Sequence, residues 1–344
     1  LENEITDTLK QLYKMQNPDS DGGEDIVMNT EKFSSFVAHS LTVTPQAVFH
    51  ATYNVIKEFN AENVIYLELR STPRAVHGKM TKHEYIESII SAFQICETDF
   101  PDIIVKLLVS VNRKQGYKAA KENVDLATEF FMKYPQYIVG LDLSGDPKTT
   151  DVFLELLEEA RRAGLKIAAH CAEIMNEVET TDILEFKPDR LGHCTCIHPN
   201  LQGSNKILDM LFNSKIPVGE DDNIMKVYQL WYLKIYIEFM ILVFCLELCL
   251  TSNVKCKTVP SYGSHQFKYY YEAGHPICLS TDDKGVFCTS LSKEYEIASL
   301  TFGLRQEELI KLCMLSVQYA FATTEEKNLL LSKIKNFNHK FREQ

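Results

Sequence analysis

The chain has no Cys-x-x-Cys pair among its ten cysteines and no excess of positive charge, with 36 Lys and Arg against 47 Asp and Glu and a formal net charge of −11. Scattered cysteines without paired spacing read as reduced thiols rather than a disulfide frame or a thiolate metal knot, which points to the cytoplasm. The missing basic excess argues against nucleic acid or an anionic membrane as partner, since both require a cationic face. Leu1-Glu2-Asn3-Glu4 offers neither a basic n-region nor an apolar h-region. A small polar molecule is the expected partner, and a monomer the expected state. Because the chain begins at Leu, we expect its natural start to lie upstream. At 344 residues and 45% hydrophobic, it can bury a core large enough for one α/β barrel or two ordinary domains.

What is present is an unbroken alternation of helix and strand patterns. The most informative stretch is Leu165-Lys-Ile-Ala-Ala-His170-Cys-Ala-Glu173. Its apolar residues lack a 3.6 period and follow a helix-closing Gly164, so it predicts a buried parallel strand that ends in a histidine. Strands are predicted likewise at 64–69, 103–109, 137–143, 190–193, 246–250 and 276–280. Helices are predicted over 1–16, 44–59, 81–96, 118–133, 150–163 and 204–214, and Thr81-Lys-His-Glu84 has the form of a capping box. Polar residues gather just after the strands, which favours a (β/α)8 barrel with its site on the C-terminal face over a doubly wound sheet with one switch point.

His170, Glu173, His193, Asp282 and Asp283 are far apart in sequence, yet each stands at or just beyond a predicted strand end. Each has a plain structural alternative: Asp282-Asp283 as a helix N-cap, His193 as a core histidine, Glu173 as a solvated first-turn acid. Together they suit a different purpose. Imidazole nitrogens and carboxylates are zinc ligands, and zinc brings the pKa of a bound water to about 7, so hydrolysis is the natural chemistry.

The segments Leu67-Glu-Leu-Arg-Ser-Thr-Pro73, Gly140-Leu-Asp-Leu-Ser-Gly-Asp-Pro147, His170-Cys-Ala-Glu173, Arg190-Leu-Gly-His193 and Ser280-Thr-Asp-Asp-Lys-Gly-Val-Phe287 resemble the adenosine deaminase family of zinc aminohydrolases. The wording Leu246-Glu-Leu-Cys-Leu-Thr-Ser-Asn253 points within it to the branch that removes methylamine from N(6)-methyl-AMP. The Pro-Cys-x-x-Cys motif of cytidine-type deaminases is absent. The resemblance implies a metal-dependent hydrolase barrel over 1–344 with one Zn2+. It makes His170 and Asp282 zinc ligands, Glu173 the acid/base that protonates a purine ring nitrogen, and His193 the group that orients the attacking hydroxide. Asp283 would hold the purine, and Gly145 would let backbone N–H approach it. Arg70, Ser71, Thr72 and Lys284 would serve a phosphate, although Arg70 could equally pair with Glu68 or another carboxylate.

Two departures from the family pattern set further expectations. The family's first strand carries His-x-His, two further zinc ligands, and no two histidines here stand two apart. An incomplete barrel, weak zinc binding and poor turnover by residues 1–344 are therefore expected. Residues 219–245 interrupt the pattern. Lys234, Glu238 and Glu247 break the apolar run well short of the ~20 residues of a membrane span, and the composition resembles translated AT-rich noncoding sequence. This insertion is expected to lie outside the working barrel, a buried hairpin or helix being the alternative. Adenosine deaminase activity and a non-catalytic nucleotide-binding barrel are the rival functional readings.

Overall fold

The computed structural model describes residues 40–148, 151–213 and 245–342. The helix expected at 1–16 and nearly all of the 219–245 insertion lie outside them. Helix α1 (Pro45–Ala61) starts on Thr44, whose hydroxyl accepts from the Ala47 amide at 3.2 Å, with proline in the first turn, where its missing N–H costs nothing. Strand β1 (Tyr66–Ser71) follows, then α2 (Lys82–Asp99), closed at its start by the predicted Thr81/Glu84 capping box. The alternation continues through β2 (Ile104–Asn112), α3 (Gly116–Lys133), β3 (Ile138–Ser144), α4 (Leu154–Arg162), β4 (Lys166–Cys171), α5 (Glu177–Phe186), β5 (Arg190–His193) and α6 (Asn205–Asn213). Beyond the insertion come β6 (Cys245–Leu248), the short α7 (Leu250–Lys255) and α8 (Phe267–Glu272), and β7 (Ile277–Leu279). Four helices close the described chain: α9 (Lys284–Phe287), α10 (Leu291–Phe302), α11 (Gln306–Tyr319) and α12 (Thr324–Arg342).

The seven strands form one parallel sheet in sequence order, β1 to β7, with ladders such as Leu67↔Val105, Leu143↔Ala169 and Leu248↔Leu279. It is a curled barrel wall that, among the described residues, has no ladder joining β1 to β7. The strand predicted at 246–250 ends two residues early. Leu250 is fully buried at the start of α7 instead, and over so short an apolar run hydrophobicity alone does not separate strand from helix.

Alternation along the strands decides what faces where. Leu107, Val109, Leu141, Leu143, Ile167, Ala169, Leu191, Leu246 and Leu248 pack into the core between sheet and helices, the larger side chains each contributing roughly 1.5–3 kcal/mol by burial. The residues between them point into the barrel: Ser110, Asp142, His170, Arg190 and Glu247. No described helix is long and apolar enough to cross a membrane.

Candidate active site

Three strand ends share an uncommon backbone feature. Ala172 after β4, His193 at the end of β5 and Asp282 after β7 all have left-handed φ, at 51°, 61° and 51°. Non-glycine residues pay strain there, and such residues gather where side chains must be aimed at a site. Here the turns deliver Glu173, His193 and Asp282 to one mouth. His170 joins them from the penultimate residue of β4, its ring centroid 5.1 Å from that of His193. His193 Nε2 stands 4.0 Å from Glu173 Oε1.

His170 is held from below. Its Nδ1 faces the Leu143 carbonyl oxygen at 3.0 Å and Asp142 Oδ1 at 3.2 Å. Both can only accept, so Nδ1 carries a proton and Nε2 is left to the cavity. Burial works against charging the ring, but the Asp142 carboxylate outweighs it and pushes His170 up to about 9. Burial would raise Asp142 too, yet His170 and Arg70 hold it well below the usual carboxylate range. The end of β4 is tied a second time by buried Arg113, which donates to the His170 carbonyl oxygen at 2.6 Å and pairs with Glu179 at 2.8 Å.

Asp142 is one link in a chain of alternating charge across the barrel. Arg70 Nη1 donates to Asp142 Oδ1 at 3.1 Å and its Nη2 meets Glu247. Arg190 pairs with Glu247 at 2.8 Å and also with Glu68, while Glu68 accepts from the Phe321 amide at 2.6 Å. Every carboxylate in this belt has a guanidinium beside it, the condition for keeping ionic groups buried. Among them, Asp142 and Glu247 are site residues that the sequence did not single out, Glu247 having figured only as a break in an apolar run. The signal was there, a carboxylate placed among apolar residues inside a strand, as in Leu141-Asp142-Leu143 and Leu246-Glu247-Leu248.

Among the described residues, two sets of ligand-type atoms lie close enough to hold a metal: His170, Glu173 and His193, and, sharing His193, the trio His193, Cys249 and Asp282. His170 fits the part best: its Nδ1 is held by Leu143 and Asp142, so Nε2 is the nitrogen turned to the cavity, where a metal would take the place of the proton that Asp142 favours. Asp282 fits through its carboxylate, whose Oδ2 accepts from Ser252 Oγ at 2.7 Å. Burial pushes the Cys249 thiol well up, which disfavours the thiolate that a metal would need.

The other residues named from the sequence line the same cavity, which measures about 2310 Å³ and reaches from the strand ends to the gap between β1 and β7. Gly145 has φ +102°, and a Cβ there would come within 2.9 Å of the Arg113 amide nitrogen, so only glycine fits. Arg70 faces Asp142 and Glu247 rather than Glu68. Ser71 Oγ shares a 2.7 Å hydrogen bond with Tyr85 OH. Thr72 is half-buried on the wall, and Asp283 is exposed at the start of α9. Lys284 sits between Glu62 and Glu58, the latter at 3.5 Å, with its ammonium over the Phe59 ring.

Comparison with known proteins agrees with this arrangement. Residues 3–220 and 240–337 match the family described as adenosine deaminase. The chain is 41% identical over 305 residues to the N6-methyl-AMP deaminase of Homo sapiens, an alignment covering 88% of this chain and 77% of that protein. It is 37% identical over 310 residues to the adenosine deaminase-like protein of Drosophila melanogaster, covering 89% and 80%. The crystal structure of Arabidopsis ADAL complexed with IMP superposes with a TM-score of 0.72 at 31% identity, over 90% of this chain and 83% of that one. A parallel barrel wall, a histidine and acidic cluster at its strand ends, and a match over most of its length place this chain in the adenosine deaminase family.

Proposed function

We propose that this protein hydrolyses N(6)-methyl-AMP to IMP and methylamine, with a Zn2+ ion held by His170 and Asp282. The observation that carries the reading is the convergence of His170, Glu173, His193 and Asp282 on one cavity mouth from β4, β5 and β7. The relatives named for this activity and the related structure with IMP support the choice of substrate.

Zinc, when bound, would supply Lewis acidity to a water beside it. The remaining work falls to the chain's own groups. Glu173, as a carboxylic acid, gives its proton to a purine ring nitrogen, which makes the amine-bearing carbon electrophilic. His193, across 4.0 Å from Glu173 Oε1, holds the attacking oxygen in line. As the carbon–oxygen bond forms, the proton that water loses passes to the departing amine nitrogen; as that bond becomes a carbonyl, its hydroxyl proton returns to Glu173 and methylamine leaves. Gly145 leaves room for the base to lie against the backbone after β3.

A second reading, unphosphorylated adenosine as substrate, is favoured by one observation: Arg70 and Lys284, the cations expected to meet a phosphate, are already paired with carboxylates. Turnover of N(6)-methyl-AMP and of adenosine by the same preparation decides between them. A tenfold or greater preference for adenosine would overturn the nucleotide reading.

A further inference from the structure

Behind His193 lies a buried run of hydrogen bonds whose directions are set from one end. The Phe267 amide donates to His265 Nδ1 at 3.0 Å. A backbone N–H can only donate, so this nitrogen presents its lone pair, and in the neutral ring the proton must sit on Nε2. Burial, with His193 nearby, pushes His265 down to about 3, so the ring is neutral. His265 Nε2 therefore donates to its partner on Asn253, 3.0 Å away, and that atom must be the amide oxygen. The other end of the amide is then the NH2 group. Its two hydrogens are shared among Thr258 Oγ1 at 3.0 Å, Thr195 Oγ1 at 3.3 Å and His193 Nδ1 at 3.4 Å. Thr258 Oγ1 spends its own hydrogen on the Asn253 carbonyl at 3.0 Å, so it can only accept from the amide. Facing NH2, His193 Nδ1 accepts too, which leaves the proton of the neutral ring on Nε2, the atom that looks toward Glu173.

We propose that Asn253 and His265 are positioning residues that fix His193 in its Nε2–H tautomer, so that it meets the reacting oxygen as a hydrogen-bond donor and not as a metal ligand. A nitrogen that holds a proton has no lone pair for a metal. His193 belongs to both clusters of ligand-type atoms; with Nε2 protonated and Nδ1 accepting from Asn253 it has no free lone pair for either, which leaves His170 with Glu173 in one and Cys249 with Asp282 in the other. Gln266 fixes the backbone as well, donating to the His193 carbonyl at 3.0 Å and to Thr195 Oγ1 at 3.1 Å. That holds His193 at its left-handed φ. The use made of the donor rests on the deaminase reading above; the tautomer itself does not.

The test is nitrogen NMR of the full chain with 15N-labelled histidine rings at about pH 8, where an ordinary imidazole is neutral, His193 being assigned by the signals lost in His193→Asn. The expected spectrum shows a proton on Nε2 and none on Nδ1. Asn253→Asp, nearly the same shape, still accepts from His265 but can no longer donate, so His193 should move its proton to Nδ1. In the same variant kcat should fall roughly 10- to 100-fold, with KM little changed, because the lost contact is made at the reacting atom. His265→Gln, which keeps an N–H facing Asn253, should retain the wild-type tautomer. A proton on Nδ1 in the wild type, or the same tautomer in Asn253→Asp, would overturn the proposal, and the wild-type spectrum decides even if a variant fails to fold. A flipped tautomer with unchanged kcat would overturn the role in turnover. The expected tautomer in a chain inactive on N(6)-methyl-AMP would sink the substrate reading and leave the relay standing.

Discussion

Asp142 Oδ1 lies 3.2 Å from His170 Nδ1 on the neighbouring β4, and Arg70 Nη1 approaches the same oxygen at 3.1 Å from β1, on the other side of β3. One carboxylate thus orients the imidazole that faces the cavity and anchors the guanidinium that closes its floor. His170 and Arg70 are both partly exposed, whereas Asp142 is fully buried.

Asp142→Asn keeps the size of the side chain and removes the charge. Zinc affinity should fall about 10- to 100-fold, the usual cost of losing a partner behind a metal-binding histidine. Leaving Arg70 with one carboxylate fewer in a buried network should also cost up to about 3–5 kcal/mol. Zinc titration and thermal unfolding of the same variant separate the two effects, and unchanged zinc affinity would remove Asp142 from the site.

Glu173→Gln removes the proton that the purine ring must receive. Turnover should drop roughly 100-fold or more, while zinc content and thermal stability stay near wild type, since Glu173 lies in an open turn ahead of α5. Rates near wild type would exclude Glu173 as the acid.

Lys284→Met tests the phosphate. If its ammonium exchanges Glu58 and Glu62 for a substrate phosphate, KM for N(6)-methyl-AMP should rise about tenfold or more, the worth of one charge-assisted hydrogen bond, and KM for adenosine should not move. Equal effects on both substrates would mean that Lys284 serves only the carboxylates.

His265 gives a pH dependence with a definite sign. Burial lowers its folded value to about 3, against about 6.5 in the unfolded chain. The unfolded state therefore binds the extra proton first as pH falls. This contribution to stability is whole above about pH 6.5 and is lost on the way to pH 3, at up to about 1.4 kcal/mol per pH unit. Denaturant unfolding of wild type and His265→Gln across that window should show the stability of the wild type relative to the variant falling steadily as pH drops. Parallel curves would show that His265 titrates normally.

The Thr81/Glu84 capping box, the alternation of helix and strand, and the placing of His170 and His193 at strand ends were legible from the chain because each depends on residues a few positions apart. Hydrogen-bond caps, hydrophobic period and the abrupt polar end of an apolar run are local properties, and they led to the parallel barrel and to its C-terminal face. Which charges meet was not legible. Arg70 had several carboxylates to choose from, and its partners stand 72 and 177 residues away. The tautomer of His193 was further out of reach, since it descends from a backbone amide at Phe267 through two side chains on other elements. Parallel strands brought side by side place every second residue of each in one shared layer, whatever their distance in sequence. Only that closure decided that Asp142 should sit under His170, and that an amide 74 residues downstream should govern which nitrogen of His193 bears its proton.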